Sequence, residues 1–223
     1  MSGRLGRGWL HFPDGTHDAW FDYATGIVGI NSPHSSGSEH EQNGDHAFIG
    51  TPQVAIFHEC AHVVQAATFP WFLRFCELWR EHVVDVYAEQ WSNGLRWRNL
   101  DDLVSRLTKK RVNDGDKLLS MLDVTGEVGF SVLDILESHA VYGHLSRLGQ
   151  HTTESFGVFV HHSGVRQRYM FAYHWTRAHL GDEQALAGFG ALVAAAFCFT
   201  RPVAVFEELV KFLTLFGVER GAR

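Results

Sequence analysis

The chain has 223 residues, of which 45% are hydrophobic and 20% charged, and its formal net charge is −6. This length and composition indicate a globular protein with a substantial buried core, and we predict a single domain over residues 1–223. The acidic balance argues against a nucleic-acid partner or an anionic membrane surface, because both require a basic protein face.

The cysteines predict a reducing location. There are three of them, Cys60, Cys76 and Cys198, and each lies in an apolar segment with helical character. An odd number in such segments argues against a disulfide framework. The first ten residues lack the continuous apolar stretch of a signal peptide, and the longest apolar run, 185–199, is short for a bilayer span. We therefore expect a cytoplasmic protein.

The N-terminal part of the chain carries strand signals. Residues 9–30 alternate loosely and are rich in aromatic side chains, with Asp14-Gly15 as a turn signal. Residues 31–46 are polar and predict a flexible loop. We predict that 9–50 form a small antiparallel sheet and this loop, and that 51–223 form a helical body. The expected class is α+β and mostly helical.

Helical periodicity continues through most of the remaining chain. A helix is predicted between Pro52 and Thr68, and a second from Pro70 to about Ser92, where Asn93-Gly94 ends it. A shorter helix is predicted over 99–111, followed by a turn at 113–116. Further helices are predicted over 129–148, 163–180, 183–199 and 201–216.

The first of these helices contains His58-Glu59-Cys60-Ala61-His62, an H-E-x-x-H motif. Its histidines stand at i and i+4, so both imidazoles project from one helix face, as required to bind one divalent metal. Glu59 is then placed to act as general base toward a water activated by the metal. The alternative is a buried helix in which the histidines bond to backbone and Glu59 pairs with an arginine.

A zinc site for catalysis needs a third protein ligand and an open position. Glu137 is the predicted ligand, because it lies in the apolar segment Ile135-Leu-Glu-Ser-His-Ala-Val-Tyr142 and a buried carboxylate requires a cation. Glu127 and Glu154 are alternatives, and Glu137 pairing with an arginine is another. His139 is rotated about 200° from Glu137 on the helix and is not expected to share its target.

The two motifs together resemble the gluzincin group of metallopeptidases, in which the second helix often reads Glu-Gly-x-Ala-x-Tyr. The chain has Glu137-x-x-Ala140-x-Tyr142, with Ser138 in place of the glycine. The resemblance implies a zincin-like fold, a metal site of His58, His62 and Glu137, and peptidase activity. Val141 stands where many members carry an aspartate that orients a ligand, so Asp134 is a possible substitute for that acceptor.

The sequence thus predicts a Zn²⁺-dependent hydrolase that cleaves a peptide or amide bond with Glu59 as general base. The group that stabilises the oxyanion is open, and the residues weighed for it are Tyr142, His144, Arg166, Tyr169 and His174. We place Tyr142 and His174 in the predicted catalytic set. Two alternatives remain: an Fe²⁺ enzyme using the same two-histidine, one-carboxylate set, and a non-catalytic zincin-like binding module.

Overall fold

A computed structural model of the protein describes residues 19–30, 52–94, 107–147 and 167–221, and 78% of these residues are helical. A short 3₁₀ helix, Gln167–Met170, leads into the fifth α-helix. The strands and α-helices that the structure describes are β1 (Ala19–Phe21), β2 (Val28–Ile30), α1 (Pro52–Thr68), α2 (Pro70–Ser92), α3 (Lys109–Ser120), α4 (Val132–Arg147), α5 (Phe171–Leu180), α6 (Asp182–Ala196) and α7 (Pro202–Gly221).

The described part of the chain is mainly α-helical, so the predicted α+β, zincin-like class is wrong. Its extended structure is a hairpin in which Phe21 pairs with Val28, and each strand has three residues. Such a hairpin is too small to form a sheet layer. The aromatic residues that suggested a sheet pack on helices: Tyr23, for example, contacts Phe72 and Phe75 of α2 edge-on. The predicted strand before residue 19 and the loop over 31–46 lie outside the described residues.

The bounds predicted for α1 and α2 are confirmed. Both helices begin at a proline, which fits the first helical position because the N–H group there has no helical partner. Asn93 caps the end of α2, and Gly94 follows with φ +66°, a conformation that glycine adopts without strain.

Helix α3 corrects the prediction for the middle of the chain. The sequence predicted a helix over 99–111 and a turn at 113–116. Residues 99–106 lie outside the described residues, and the helix that begins at Lys109 continues through the predicted turn. Thr108 accepts a hydrogen bond from the backbone of Arg111 and caps the start. Gly115 is buried in α3, and Arg111 binds Glu89 of α2 at 2.6 Å. This glycine therefore lies in a packed helix rather than in a turn.

Helices α1 and α4 cross closely, and this crossing brings the two motifs together. Ala140 is fully buried, and a Cβ added at Gly143 would lie 3.8 Å from Cβ of Ala61. Small residues on both helices thus permit a short distance between the axes. Helix α4 begins with a reciprocal cap, in which Asp134 accepts hydrogen bonds from the backbone and hydroxyl of Ser131.

An aromatic core joins the helices beyond this crossing. Its largest fully buried residues include Phe72, Phe130, Tyr173, Phe189 and Phe206, which come from α2, α5, α6, α7 and the segment before α4. Their rings meet mostly edge-on or tilted, as favoured by the charge distribution of aromatic rings. Within the described ranges, none of the helices combines the length and hydropathy needed to cross a bilayer.

Candidate metal centre

The three predicted metal ligands lie together at the crossing of α1 and α4. His58 and His62 project from α1, and Glu137 projects from α4 toward them. One ligand atom from each residue lies within 4.8 Å of the other two. His62 is buried, whereas His58 and Glu137 keep a small part of their side chains exposed. Among the described residues, the ion-pair partners of Glu137 are these histidines and not an arginine.

The distances between the ligand atoms fit a tetrahedral ion. Oε2 of Glu137 lies 2.9 Å from Nε2 of His58 and 3.5 Å from Nε2 of His62. Two ligands bound to zinc at about 2.0–2.1 Å in a tetrahedral arrangement stand roughly 3.3 Å apart. Two imidazole nitrogens and one carboxylate oxygen are also a donor set found in catalytic zinc sites. The residues present therefore fit a divalent metal.

The charges in the group are strongly coupled. Burial by itself disfavours a charged His62, but the carboxylates of Glu137 and Glu59 outweigh it and raise the pKa of His62 to about 9. Burial would likewise raise the pKa of Glu137, yet His62 and His58 hold it well below its usual range. The protein thus keeps the buried carboxylate of Glu137 charged, and a metal that binds here would replace the proton that His62 otherwise carries.

Glu59, the predicted general base, follows His58 on α1 and is partly buried. Its carboxylate raises the pKa of both His62 and Tyr23 through space. Glu59 lies in the same turn of α1 as His58. It is not one of the residues whose atoms converge as ligands.

Gln65 is a site residue that the sequence reasoning missed. It is fully buried and lies one turn after His62 on α1. Its Oε1 is 2.7 Å from Nδ1 of His62, and its Nε2 is 2.8 Å from the carbonyl oxygen of Leu136 and 3.0 Å from Nδ1 of His139. Burial, followed by the charge of His62, lowers the pKa of His139 to about 4, which keeps that ring neutral. The sequence feature that could have identified Gln65 is a polar residue three positions after His62 in an apolar helix.

Aromatic side chains pack against both histidines of the ligand group. The ring of Tyr169 lies edge-on to His58, with centroids 5.8 Å apart. Phe21 of the hairpin stacks on His62 at 6.2 Å and also contacts Tyr23. Burial and then the charges of Glu137 and Glu59 raise the pKa of Tyr23, so its phenol keeps its proton. Tyr169 was among the residues weighed from sequence, whereas no sequence signal connected Tyr23 with the motif.

The structure does not place the hydroxyl of Tyr142 at the ligand group. This hydroxyl donates a hydrogen bond to the carbonyl oxygen of Leu186 on α6 at 2.8 Å, and the ring packs against Phe189. Tyr142 therefore ties α4 to α6. His174 lies on α5, where its ring contacts Tyr173 and burial lowers its pKa.

The other residues weighed for the metal site have different surroundings. Glu127 is exposed and forms an ion pair with Lys211 at 2.9 Å. Asp134, proposed as the acceptor that orients a histidine, caps α4 as described above, and Gln65 occupies the acceptor position at His62. Glu154 and Arg166 lie outside the described residues, and the side chain of His144 is not described.

A cavity of about 480 Å³ opens elsewhere, near the start of α7. Trp71, Met121, Val203 and Arg201 are among its lining residues, and none of the three predicted ligands is. Glu207, which also lines it, is 2% exposed and accepts hydrogen bonds from the backbone of Glu127 and Val128. The buried carboxylate of Glu207 thus holds the loop before α4.

Comparison of the chain with protein-family models, with curated proteins and with solved structures found no match in any of the three. The resemblance to gluzincins therefore stays a prediction that rests on the motif residues.

Proposed function

We propose that the protein is a zinc-dependent hydrolase that cleaves a peptide or amide bond. The observation that carries the proposal is the convergence of His58, His62 and Glu137, whose ligand atoms lie within 4.8 Å of one another. The position of Glu59 directly after His58 on α1 supports hydrolysis, because such chemistry uses a base next to the metal. The resemblance to gluzincins supplies the substrate class.

The roles of the residues follow from their positions. His58, His62 and Glu137 would hold the metal, which when bound would supply the Lewis acidity that activates a water and polarises a carbonyl. Glu59 would act as the general base toward the attacking water and as the acid toward the leaving nitrogen. Tyr169, whose ring lies edge-on to His58, would donate a hydrogen bond to the developing oxyanion. We also propose a reducing, cytoplasmic location, since Cys60, Cys76 and Cys198 are free thiols.

An iron enzyme would use the same three ligands. The carboxylate of Glu59 favours hydrolysis over this alternative, because oxygen activation does not require a base at that position. A non-catalytic binding module would likewise not require Glu59.

The test combines metal analysis with hydrolysis of a quenched-fluorescence peptide library. Protein purified without added metal is compared with Glu137→Ala and Glu59→Gln. We expect about one zinc per chain in the wild type and in Glu59→Gln, and loss of zinc in Glu137→Ala. Glu59→Gln should lower hydrolysis by about 10²–10⁴-fold, because it removes the base and keeps the ligands.

Three results would contradict the proposal. Wild-type protein that binds no zinc, even when zinc is supplied, excludes the metal centre. Iron as the bound metal, without peptide hydrolysis, points to oxidative chemistry. Equal hydrolysis by wild type and Glu59→Gln removes Glu59 from the mechanism.

A further inference from the structure

Gln65 connects the metal helix to both sides of the third ligand. Its side chain is completely buried, and all of its polar atoms have partners. Leu136 and His139, which face its amide nitrogen, lie one residue before and two residues after Glu137 on α4. Gln65 therefore contacts the predicted ligand His62 directly, and it contacts the backbone of Leu136, the residue before the predicted ligand Glu137.

The orientation of the amide follows from its partners. The carbonyl oxygen of Leu136 can only accept a hydrogen bond, so the group 2.8 Å from it must be the NH₂ of Gln65. Oε1 of Gln65 therefore faces Nδ1 of His62 at 2.7 Å. Because Oε1 carries no hydrogen, Nδ1 of His62 must be the donor. The lone pair of a neutral His62 ring is then on Nε2, the atom that faces Glu137.

The second hydrogen of the amide strengthens this assignment. It points at Nδ1 of His139, 3.0 Å away, which accepts it as a neutral ring with its own proton on Nε2. Two acceptors thus hold the NH₂ group, and the amide cannot rotate by 180° without losing both hydrogen bonds. A buried acceptor left without a donor is unfavourable, so the orientation of Gln65 is fixed.

We propose that Gln65 is a positioning residue of the metal centre, which fixes the tautomer and ring orientation of His62 so that Nε2 is presented to the metal. The inference rests on the proposed metal centre. Histidine ligands commonly donate their other ring N–H to an acceptor, and removal of that acceptor typically lowers metal affinity 10–100-fold. An amide suits this position better than a carboxylate, because it accepts from His62 and also donates to the carbonyl oxygen of Leu136. A carboxylate has no hydrogen to donate to that oxygen.

The test compares Gln65→Met with Gln90→Met. Gln90 is a matched control, because it is also a buried glutamine, 2% exposed, but lies on α2, which carries none of the three predicted ligands. Zinc affinity is measured by competition with a chromophoric chelator, and the ligand geometry by the visible absorption of the Co²⁺-substituted full chain. We expect Gln65→Met to lower zinc affinity by about 10–100-fold and to change the cobalt spectrum. Gln90→Met should leave both unchanged, even if it lowers the melting temperature.

Gln65→Glu provides a second variant should Gln65→Met fail to fold. It keeps an acceptor for Nδ1 of His62. The gain in ligand basicity from a charged acceptor opposes the loss of the two hydrogen bonds that the amide donates, so zinc should bind within about tenfold of the wild-type affinity. Wild-type affinity and an unchanged cobalt spectrum in Gln65→Met would overturn the inference while leaving the metal centre in place. A folded Gln65→Glu with more than about tenfold weaker binding would also overturn it. Failure of the wild type to bind zinc would instead exclude the metal centre itself, and this inference with it.

Discussion

Nε2 of His58 lies 2.9 Å from Oε2 of Glu137, although the two residues are 79 positions apart in the chain. The same carboxylate oxygen faces His62 at 3.5 Å. Folding thus brings a carboxylate and two imidazoles into one small, largely buried space, where their charges act strongly on one another. A cation bound by all three would compensate the buried carboxylate and hold α1 against α4.

Zinc is therefore expected to stabilise the fold. At a free zinc concentration of 100 times the dissociation constant, the free energy of unfolding should rise by about 2.7 kcal/mol. For a chain of this size that corresponds to a rise of roughly 5–11 °C in melting temperature, measurable by circular dichroism. His58→Ala should abolish the rise, whereas His179→Ala, which changes an exposed histidine on α5, should retain it. An equal zinc response in both variants would place the metal elsewhere.

The phenol of Tyr169 is expected to act during hydrolysis and not in metal binding. Tyr169→Phe should lower kcat for the best peptide substrate by about 10–10³-fold, because it removes a hydrogen-bond donor to the oxyanion. Zinc content and KM should change little. Tyr23→Phe is the matched comparison, since the ring of Tyr23 packs on Phe72 and Phe75 of α2. Unchanged kcat in Tyr169→Phe with a large loss in Tyr23→Phe would transfer the role to Tyr23.

Tyr142 is expected to affect stability and not activity. Its hydroxyl bonds to the carbonyl oxygen of Leu186, so Tyr142→Phe should lower the free energy of unfolding by about 0.5–1.5 kcal/mol in urea titrations. Zinc affinity and kcat should stay at wild-type values. A large loss of kcat without loss of stability would restore the catalytic role that the sequence predicted for this residue.

Residues with short-range signals were predictable. The i, i+4 spacing of His58 and His62 and the prolines at the starts of α1 and α2 are local features, and the structure has both helices within the predicted bounds. Glu137 was predictable because an isolated carboxylate in an apolar segment needs a cation, and the structure places it beside the two histidines.

Residues whose roles depend on packing were not predictable. Gln65 acts through atoms of Leu136 and His139, which approach it only when α1 crosses α4. Gly115 was read as a turn residue, because the sequence does not reveal that this position is buried within a helix. Tyr23 lies near the site through the contact of its hairpin with α1 and α2, which no periodicity indicates. Long-range contacts of this kind override local propensity.

Glu207 is expected to hold the loop before α4. Its buried carboxylate accepts hydrogen bonds from the backbone N–H groups of Glu127 and Val128, so Glu207→Leu leaves two donors without their acceptor. The free energy of unfolding should fall by about 1.5–3 kcal/mol, the usual range for a hydrogen bond to a charged group. Glu208→Leu, which changes the exposed neighbour, should have a much smaller effect in the same urea titration. Equal effects would show that the buried carboxylate does not stabilise the loop.

His82 is expected to make the fold sensitive to mild acid. It is buried on α2 beside Trp79, and burial, followed by the charge of Arg111, lowers its pKa, against the smaller opposing effects of Asp114 and Asp85. A histidine whose pKa is lower in the folded state contributes stability that is fully present above its unfolded pKa of about 6.5 and is lost as the pH falls below that value. Protonation therefore favours unfolding.

The measurement for His82 is the difference in urea-unfolding free energy between about pH 7.5 and about pH 5.5, on either side of the unfolded pKa. The wild type should lose more stability over this interval than His82→Gln, which keeps a polar side chain but cannot titrate there. His179→Gln removes an exposed histidine and should behave as the wild type does. The change in unfolding free energy between the two pH values, compared between the wild type and His82→Gln, isolates the proton taken up at His82. An equal pH dependence in the two proteins would assign the acid sensitivity to other groups.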